Sequence, residues 1–312
     1  MSTPLLVICG PTASGKTALA VALAKRFNGE VVSADSMQIY RDIRIATAKP
    51  SIEEMGGVPH HLIDFLPPEE CFSVSEYAAA AHEAIAGIHR RGKLPVLCGG
   101  TGLYIDSVAS NLDFEGFGTN SEVRDALLNE AAKEGKQAMW ERLNDADPVL
   151  AKALHPNNIG RVIRALEVYE LTGQPMSAHQ KRAAEKESPY RVCKIGITFA
   201  DRSLLYRRVE ERVTRMFSEG LADEIREFEK HNPSKTAKQA IGYKEVTEMF
   251  NGRITLKEAS EQMCIQSRRY AKRQLTWFRR DKDIKWIEAD EKSFEEVASA
   301  AAKIVKGAGI IE

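Results

Sequence analysis

Cysteine is scarce in this 312-residue chain and badly spaced for structural chemistry. Its five thiols, Cys9, Cys71, Cys98, Cys193 and Cys264, are odd in number and widely separated. No Cys-x-x-Cys pair occurs, which argues against a zinc ribbon or a disulfide framework. Net charge is missing too. The 44 lysines and arginines balance 44 aspartates and glutamates, so no global field selects or rejects a nucleic-acid partner. No apolar run approaches the ~20 residues that span a bilayer. The N-terminus lacks the basic region of a signal peptide. These absences give the expectation of a cytoplasmic, reducing location with no membrane attachment. Repeats and low-complexity tracts are lacking as well. With 43% apolar residues the chain has enough to bury a sizeable core, and its length suits one large domain or two modest ones.

What is present starts within the first twenty residues. Gly10-Pro11-Thr12-Ala13-Ser14-Gly15-Lys16-Thr17 fits G-x-x-x-x-G-K-[ST], the phosphate-binding P-loop. Leu5–Cys9 before it reads as a buried strand, and Thr17–Phe27 after it as an Ala/Leu-rich helix. Strand, glycine loop and helix N-terminus together aim backbone N–H groups at an anion. Lys16 is expected to neutralise phosphate oxygens, and Thr17 to bind Mg²⁺ or a phosphate oxygen.

Up to about residue 110 strands and helices alternate. Glu30–Ser33, His61–Phe65 and Leu94–Cys98 read as strands, and Ser75–Arg90 as a helix capped by Ser73 or Ser75. The rhythm predicts an α/β fold, a P-loop NTPase-like parallel sheet flanked by helices. Ligands in such sheets bind beyond the carboxyl ends of the strands. The P-loop, Asp35 and Gly99–Thr101 all follow strand ends, so they are expected to converge. From 111 to 187 no strand pattern occurs. Helices are predicted over 122–133, 136–143, 148–154 and 158–171, with a flexible entry at Gly116, Gly118, Thr119 and Asn120 and a polar exit at 185–189. This places an all-helical insertion, 113–189, inside a discontinuous core of 1–112 and 190–312. A strand over 192–199 resumes the core. Long helices over 202–218, 221–230, 236–250 and 256–280, a short strand at 285–287 and a helix over 294–306 complete a helical C-terminal region.

A P-loop NTPase also needs a Walker-B aspartate to help hold its metal. The Leu94–Cys98 strand ends in Gly-Gly-Thr instead, which weighs against an ATPase or a small-molecule kinase. Asp35 is the best-placed acid. It suits a general base or a metal-shell ligand, and equally a helix N-cap. Arg202, Arg207, Arg208, Arg212 and Arg215 crowd one helix, where Arg207 and Arg208 point about 100° apart. Only one of that pair is expected to face the site. For most of the cluster the alternative is a solvated, salt-bridged face. The stretch from Arg268 to Arg280 is basic without an acid and carries Tyr270, Trp277 and Phe278. Such a run suits a phosphate backbone, with Trp277 and Phe278 read as core. His60-His61 has no further spaced ligands and reads as a structural or substrate-facing pair rather than a metal site.

These segments, taken in order, resemble one family. Gly-Pro-Thr-Ala-Ser-Gly-Lys-Thr, Ser-Ala-Asp-Ser-Met-Gln-Ile-Tyr (33–40), Thr-Ala-Lys-Pro (47–50), Pro-His-His-Leu-Ile-Asp (59–64) and Gly-Gly-Thr-Gly-Leu-Tyr (99–104) are similar to the tRNA dimethylallyltransferases. So are His-Pro-Asn-Asn (155–158), Arg-Ala-Leu-Glu-Val (164–168), Gln-Ala-Ile-Gly-Tyr-Lys-Glu (239–245) and Arg-Tyr-Ala-Lys-Arg-Gln-Leu-Thr-Trp-Phe-Arg (269–279). The resemblance implies transfer of a dimethylallyl group from dimethylallyl diphosphate to N6 of adenosine 37 in tRNAs that read codons beginning with U. The P-loop would then hold a prenyl diphosphate with Mg²⁺, which accounts for the missing acid.

Carried over by motif, Asp35 matches the general base, Thr101 a residue near both substrates, and Arg208 the cation facing the departing diphosphate. Gly10–Thr17 match the diphosphate cradle, with Thr17 at the metal. Asp35, Ser36, Met37, Gln38, Thr101, Arg124 and the run Gly160, Arg161, Val162, Ile163 and Arg164 match tRNA contacts. Tyr243, Lys244, Arg269, Lys272, Arg273 and Arg279 are read as further contacts to an anticodon stem-loop. Some relatives carry glutamine where Gly160 stands, so no amide contact is expected there. A monomer without a stable protein partner is expected. The alternatives are an enzyme prenylating free adenine nucleotides, a P-loop kinase and a non-catalytic RNA-binding module.

Overall fold

The computed structural model describes residues 2–110, 120–185 and 187–311. Gly116, Gly118 and Thr119 of the expected entry, and Lys186 of the exit, lie outside the described residues. The chain divides into two compact units, one of Met1–Ala109 with Pro189–Glu312 and one of Ser110–Ser188.

The first unit is built on a six-stranded parallel sheet, ordered β3-β2-β4-β1-β5-β6. Its strands are β1 (Thr3–Cys9), β2 (Gly29–Ala34), β3 (His60–His61), β4 (Leu94–Gly99), β5 (Tyr190–Thr198) and β6 (Lys285–Glu288). The continuous apolar runs of β1 and β4 fit a sheet covered on both faces. Leu6 and Ile8 pack on one side beneath α1 (Lys16–Arg26) and α13 (Phe294–Gly307). Leu5 and Val7 pack on the other against α3 (Val74–Arg90) and α4 (Gly102–Ala109). A third apolar cluster joins Ile39, Tyr40 and Ile43 to α9 (Arg202–Ser218), α10 (Leu221–Glu229), α11 (Tyr243–Phe250) and α12 (Leu256–Phe278). Register decides where the chemistry sits. Cys9 pairs with Gly99 and with Gly196, and Ala34 pairs with Gly99. Gly10, Asp35 and Gly100 therefore leave neighbouring strands at one edge. The approach is close enough that a Cβ on Gly99 would lie 2.0 Å from the Ala34 carbonyl.

Several expectations need correction. The strand expected over 61–65 stops at His61, because Leu62 and Asp64 take φ of +57°, which ends an extended run. The helix expected over 236–250 is broken at Gly242, whose φ is +107°. A single 3₁₀ turn, Ala237–Gln239, precedes the break and α11 follows it. The Glu245 carboxylate accepts the Gly242 N–H at 3.0 Å and restarts the helix. The α2 (Ile52–Met55), α4 and α8 (Met176–Ala184) helices were not expected.

The second unit is helical, with no strand among its described residues. Its α5 (Ser121–Ala146) is interrupted at Gly135, so the two helices expected there abut rather than separate. The α6 (Pro148–Ala153), α7 (Ile159–Thr172) and α8 helices complete it. Leu127, Met139, Leu143, Val162, Ile163 and Leu166 form its core. Asp147 ties the unit together, capping Leu150 N–H at 3.0 Å and accepting Ser177 N–H at 2.8 Å.

Candidate active site

The P-loop turns immediately after β1. Gly15 holds φ of +88°, a left-handed conformation that suits glycine, and releases the chain into α1 at Lys16. The Lys16 ammonium folds back to the Pro11 carbonyl at 3.4 Å. Burial lowers its pKa, against the opposing pull of Cys98 and Asp35. The Ser14 hydroxyl is buried with no hydrogen-bond partner, an orphan donor inside a loop shaped for an anion. The Thr17 hydroxyl makes no hydrogen bond among the described residues.

Asp35 stands one residue beyond β2. Its Oδ1 accepts the N–H groups of Met37 at 2.9 Å and Gln38 at 3.3 Å, capping a turn rather than a helix. Oδ2 is left without a hydrogen bond among the described residues, so the carboxylate caps the turn through one oxygen and keeps the other uncommitted beside the cavity that Asp35 lines. Thr101 joins the two strand ends. Its N–H donates to the Ala34 carbonyl at 3.1 Å, and its Oγ1 accepts the Ser36 N–H at 3.1 Å.

Lys16, Thr17 and Asp35 meet in one cavity of about 270 Å³, and Thr101 lies outside its lining. Lys16, Thr17, Asp35, Arg212 and Arg273 supply its polar wall, and Val209, Val213, Met216, Ile241 and Met263 an apolar one. A second cavity, of about 510 Å³, opens on the outer side of the loop between Gly15, Thr17, Arg208 and Arg215. Of the adjacent arginines it is Arg208 that reaches the loop, donating from Nε to the Ala13 carbonyl at 2.9 Å. A cationic, phosphate-ready rim thus adjoins an apolar chamber that also contains a free carboxylate oxygen. That combination suits a substrate with an anionic head, an apolar tail and a reaction partner that gives up a proton.

Three residues escaped the sequence reading of the site. Arg212 donates from Nη1 to Thr12 Oγ1 at 2.8 Å, and burial lowers its pKa. Its signal was the spacing 208, 212, 215, which lines one helix face. Gln274 is 4% exposed and bridges the loop to the end of β4. Its signal was a neutral amide on the apolar stripe of Ala271, Leu275 and Phe278. Tyr270 lines the inner cavity, and burial raises its pKa.

Other expected residues fall elsewhere. The side chains of Val162 and Ile163 are buried in the second unit's core. Tyr243 is 6% exposed, packs on Phe228 and bonds Glu229 through its hydroxyl, so its ring is core. At these three positions the side chain is engaged in packing. Arg124 and Arg164 both pair with the fully buried Glu167, at 2.7 and 3.0 Å. Gly160, Arg161, Lys244, Arg269, Lys272, Arg273 and Arg279 are exposed. Trp277 donates to Asp106 at 2.7 Å and Phe278 is buried. His61 bonds Glu30 at 2.7 Å and His60 the Val58 carbonyl at 2.8 Å, a structural pair. Among the described residues no cluster of three or more His, Cys, Asp or Glu offers a metal site. Cys9 and Cys98 are buried, which pushes both thiols up to about 12. No described helix is long and apolar enough to cross a membrane.

A family model described as IPP transferase matches residues 38–281, and one described as isopentenyl transferase matches 3–66. The tRNA dimethylallyltransferase of Thermoanaerobacter sp. (strain X514) is 46% identical over 311 residues, covering 98% of this chain and 99% of that one. The crystal structure of the full-length tRNA isopentenylpyrophosphate transferase from Bacillus halodurans is 42% identical, with a TM-score of 0.72 over 98% of this chain and 97% of that one. A eukaryotic dimethylallyltransferase acting on tRNA is 28% identical, with a TM-score of 0.80 over 97% of this chain and 78% of that one.

Proposed function

Since this chain belongs to the tRNA dimethylallyltransferase family, we propose that it transfers a dimethylallyl group from dimethylallyl diphosphate to N6 of adenosine 37 in tRNA. The products are N6-dimethylallyladenosine and diphosphate. The observation that carries this reading is the shared cavity, in which Lys16 and Thr17 of the P-loop adjoin Asp35 and an apolar wall.

Each residue then has a task. Lys16 and the loop N–H groups hold the diphosphate, and the orphan Ser14 hydroxyl gains an acceptor from it. Arg208 and Arg212 reach the loop from its outer side and from within. They stabilise the negative charge that develops on the leaving group. Val209, Val213 and Met216 give the five-carbon group a surface that excludes water. The N6 lone pair attacks the allylic C1, the C1–O bond breaks, and its electron pair leaves with the diphosphate. The N6 proton passes to Asp35, whose Oδ1 stays on the turn while Oδ2 is available. An exocyclic amine is a weak nucleophile because its lone pair is delocalised, so the base and the good leaving group are both needed. Adenosine 37 must leave its stack to reach a chamber of this size.

Mg²⁺ fits the donor set. It is a hard cation that favours a hydroxyl, a carboxylate and substrate phosphate oxygens over a dedicated protein cage. Thr17 is the residue that would hold it, and when bound it neutralises charge on the diphosphate. The exposed basic residues Arg269, Lys272 and Arg273 of α12, with Arg279 at its C-cap, suit the phosphate backbone of an anticodon stem-loop. Gly160 and Arg161 of the second unit are proposed as further tRNA contacts.

Incubation with labelled dimethylallyl diphosphate, Mg²⁺ and either unmodified tRNA or AMP tests the reading. Label is expected in tRNA. Label in AMP alone would make the protein a free-nucleotide prenyltransferase.

A further inference from the structure

The segment from Asp35 to Pro50 walls the inner cavity, yet it forms neither helix nor strand beyond a lone bridge from Tyr40 to Leu66. Asp35, Met37, Gln38, Ala46, Thr47 and Ala48 all line the chamber. Without a ladder, turn bonds such as Ala48 N–H to the Ile45 carbonyl at 3.0 Å satisfy part of its backbone, and side chains satisfy much of the rest. Gln38 supplies one link. Its Nε2 donates to the carbonyls of Thr47 and Ala48 at 3.3 and 3.1 Å, and its own N–H is held by Asp35 Oδ1. Gln38 therefore ties the Asp35 turn to the 47–48 strip.

The anchor from outside comes from the first turn of α10. Glu224 Oε1 accepts the N–H groups of Arg44 at 2.6 Å and Ile45 at 2.7 Å, and Oε2 accepts that of Ala46 at 2.9 Å. One carboxylate thus closes three successive backbone donors with charge-assisted bonds, in the manner of an anion in a nest. A glutamate in a first helical turn is favoured by the helix dipole alone. That account needs no partner about 180 residues away in sequence. Glu224 lines neither cavity.

We propose that Glu224 is a positioning residue for prenyl transfer. It fixes the 44–46 backbone and, through Gln38, holds Asp35 in the cavity that Asp35 shares with Lys16. The inference rests on the transfer reading above. It gives Glu224 no contact with either substrate.

Glu224→Gln tests it. The amide can accept through one oxygen, but its NH₂ group then faces a backbone N–H, donor against donor, whichever way it is flipped. The rate of transfer to an anticodon stem-loop, at saturation with both substrates, is expected to fall about tenfold or more. The affinity for inorganic pyrophosphate, which the P-loop holds, is expected to stay within about twofold, and the unfolding midpoint within about 5 °C. Glu224→Asp keeps the charge on a shorter arm and is expected to recover part of the rate. A wild-type rate in Glu224→Gln would overturn the inference. So would a rate loss matched by parallel losses of pyrophosphate affinity and thermal midpoint, since that pattern marks a merely structural residue. A wild-type protein that labels no RNA overturns the transfer reading and this inference with it. A wild type that labels RNA beside an equally active variant overturns this inference alone.

Discussion

Gln274 accepts the backbone N–H of Thr12 at 2.8 Å through Oε1 and donates to the Gly100 carbonyl at 2.9 Å through Nε2. One buried amide on α12 thereby spans the P-loop and the end of β4. Gln274→Leu would leave a donor and an acceptor unpaired, at about 1–3 kcal/mol each. The Michaelis constant for the prenyl donor is expected to rise at least tenfold. Gln274→Glu keeps the acceptor for Thr12 but cannot donate to Gly100 when ionised, so it should fall between the two. An unchanged donor constant in Gln274→Leu would remove the bridge from the account.

Arg207 and Arg208 are sequence neighbours with different surroundings. Only Arg208 contacts the loop, at the Ala13 carbonyl. Arg208→Ala is expected to lower the transfer rate by about 10- to 100-fold through loss of leaving-group stabilisation. Arg207→Ala should leave it unchanged. Arg208→Lys should restore little, because a point charge cannot keep the Nε contact and face the diphosphate together. Steady-state rates for the three variants decide the matter, and equal losses at 207 and 208 would contradict it.

Glu30 sets a pH window for stability. Burial raises its pKa, but hydrogen bonds from Arg91, Lys93 and His61 outweigh that and bring it down from 4.5 to about 2. A depressed carboxyl adds stability that is fully present above its unfolded value and is lost as pH falls through the folded one. The wild type should therefore lose on the order of 2 kcal/mol between pH 4.5 and 2 from this site. Arg91 and Lys93 are 47% and 32% exposed, and solvent screening there weakens their hold on the carboxylate. Glu30→Gln should be less stable at neutral pH and lack that increment of acid sensitivity. Parallel denaturation curves for the two proteins across the window would contradict this.

The parts of the fold legible in the sequence are those with local causes. β1 and β4 are continuous apolar runs next to glycine turns. The α9 helix follows its apolar spacing, with Leu205, Val209, Val213 and Met216 all buried. The convergence of Gly10–Thr17, Asp35 and Thr101 was legible because each follows a strand end of one parallel sheet. The site was hidden where the partner is remote. Nothing near 44–46 announces that Glu224 will close those amides, and nothing near Thr12 announces Gln274. Gly242 was missed because the apolar pattern runs on across it, while its positive φ breaks the backbone. Nothing local announces that the side chains of Tyr243 and Ile163 turn into the cores of their units.

Asp35→Asn separates the chemistry of the carboxylate from its hold on the turn. Asparagine keeps the side-chain oxygen that accepts the Met37 and Gln38 N–H groups, so the turn survives. It removes only the proton acceptor. Single-turnover transfer from labelled dimethylallyl diphosphate to an anticodon stem-loop is expected to slow by about 10²- to 10⁴-fold. Affinity for pyrophosphate and for the stem-loop should remain within a few-fold of wild type. Transfer at the wild-type rate would contradict the account, because the cavity would then be working without the carboxylate around which it is built.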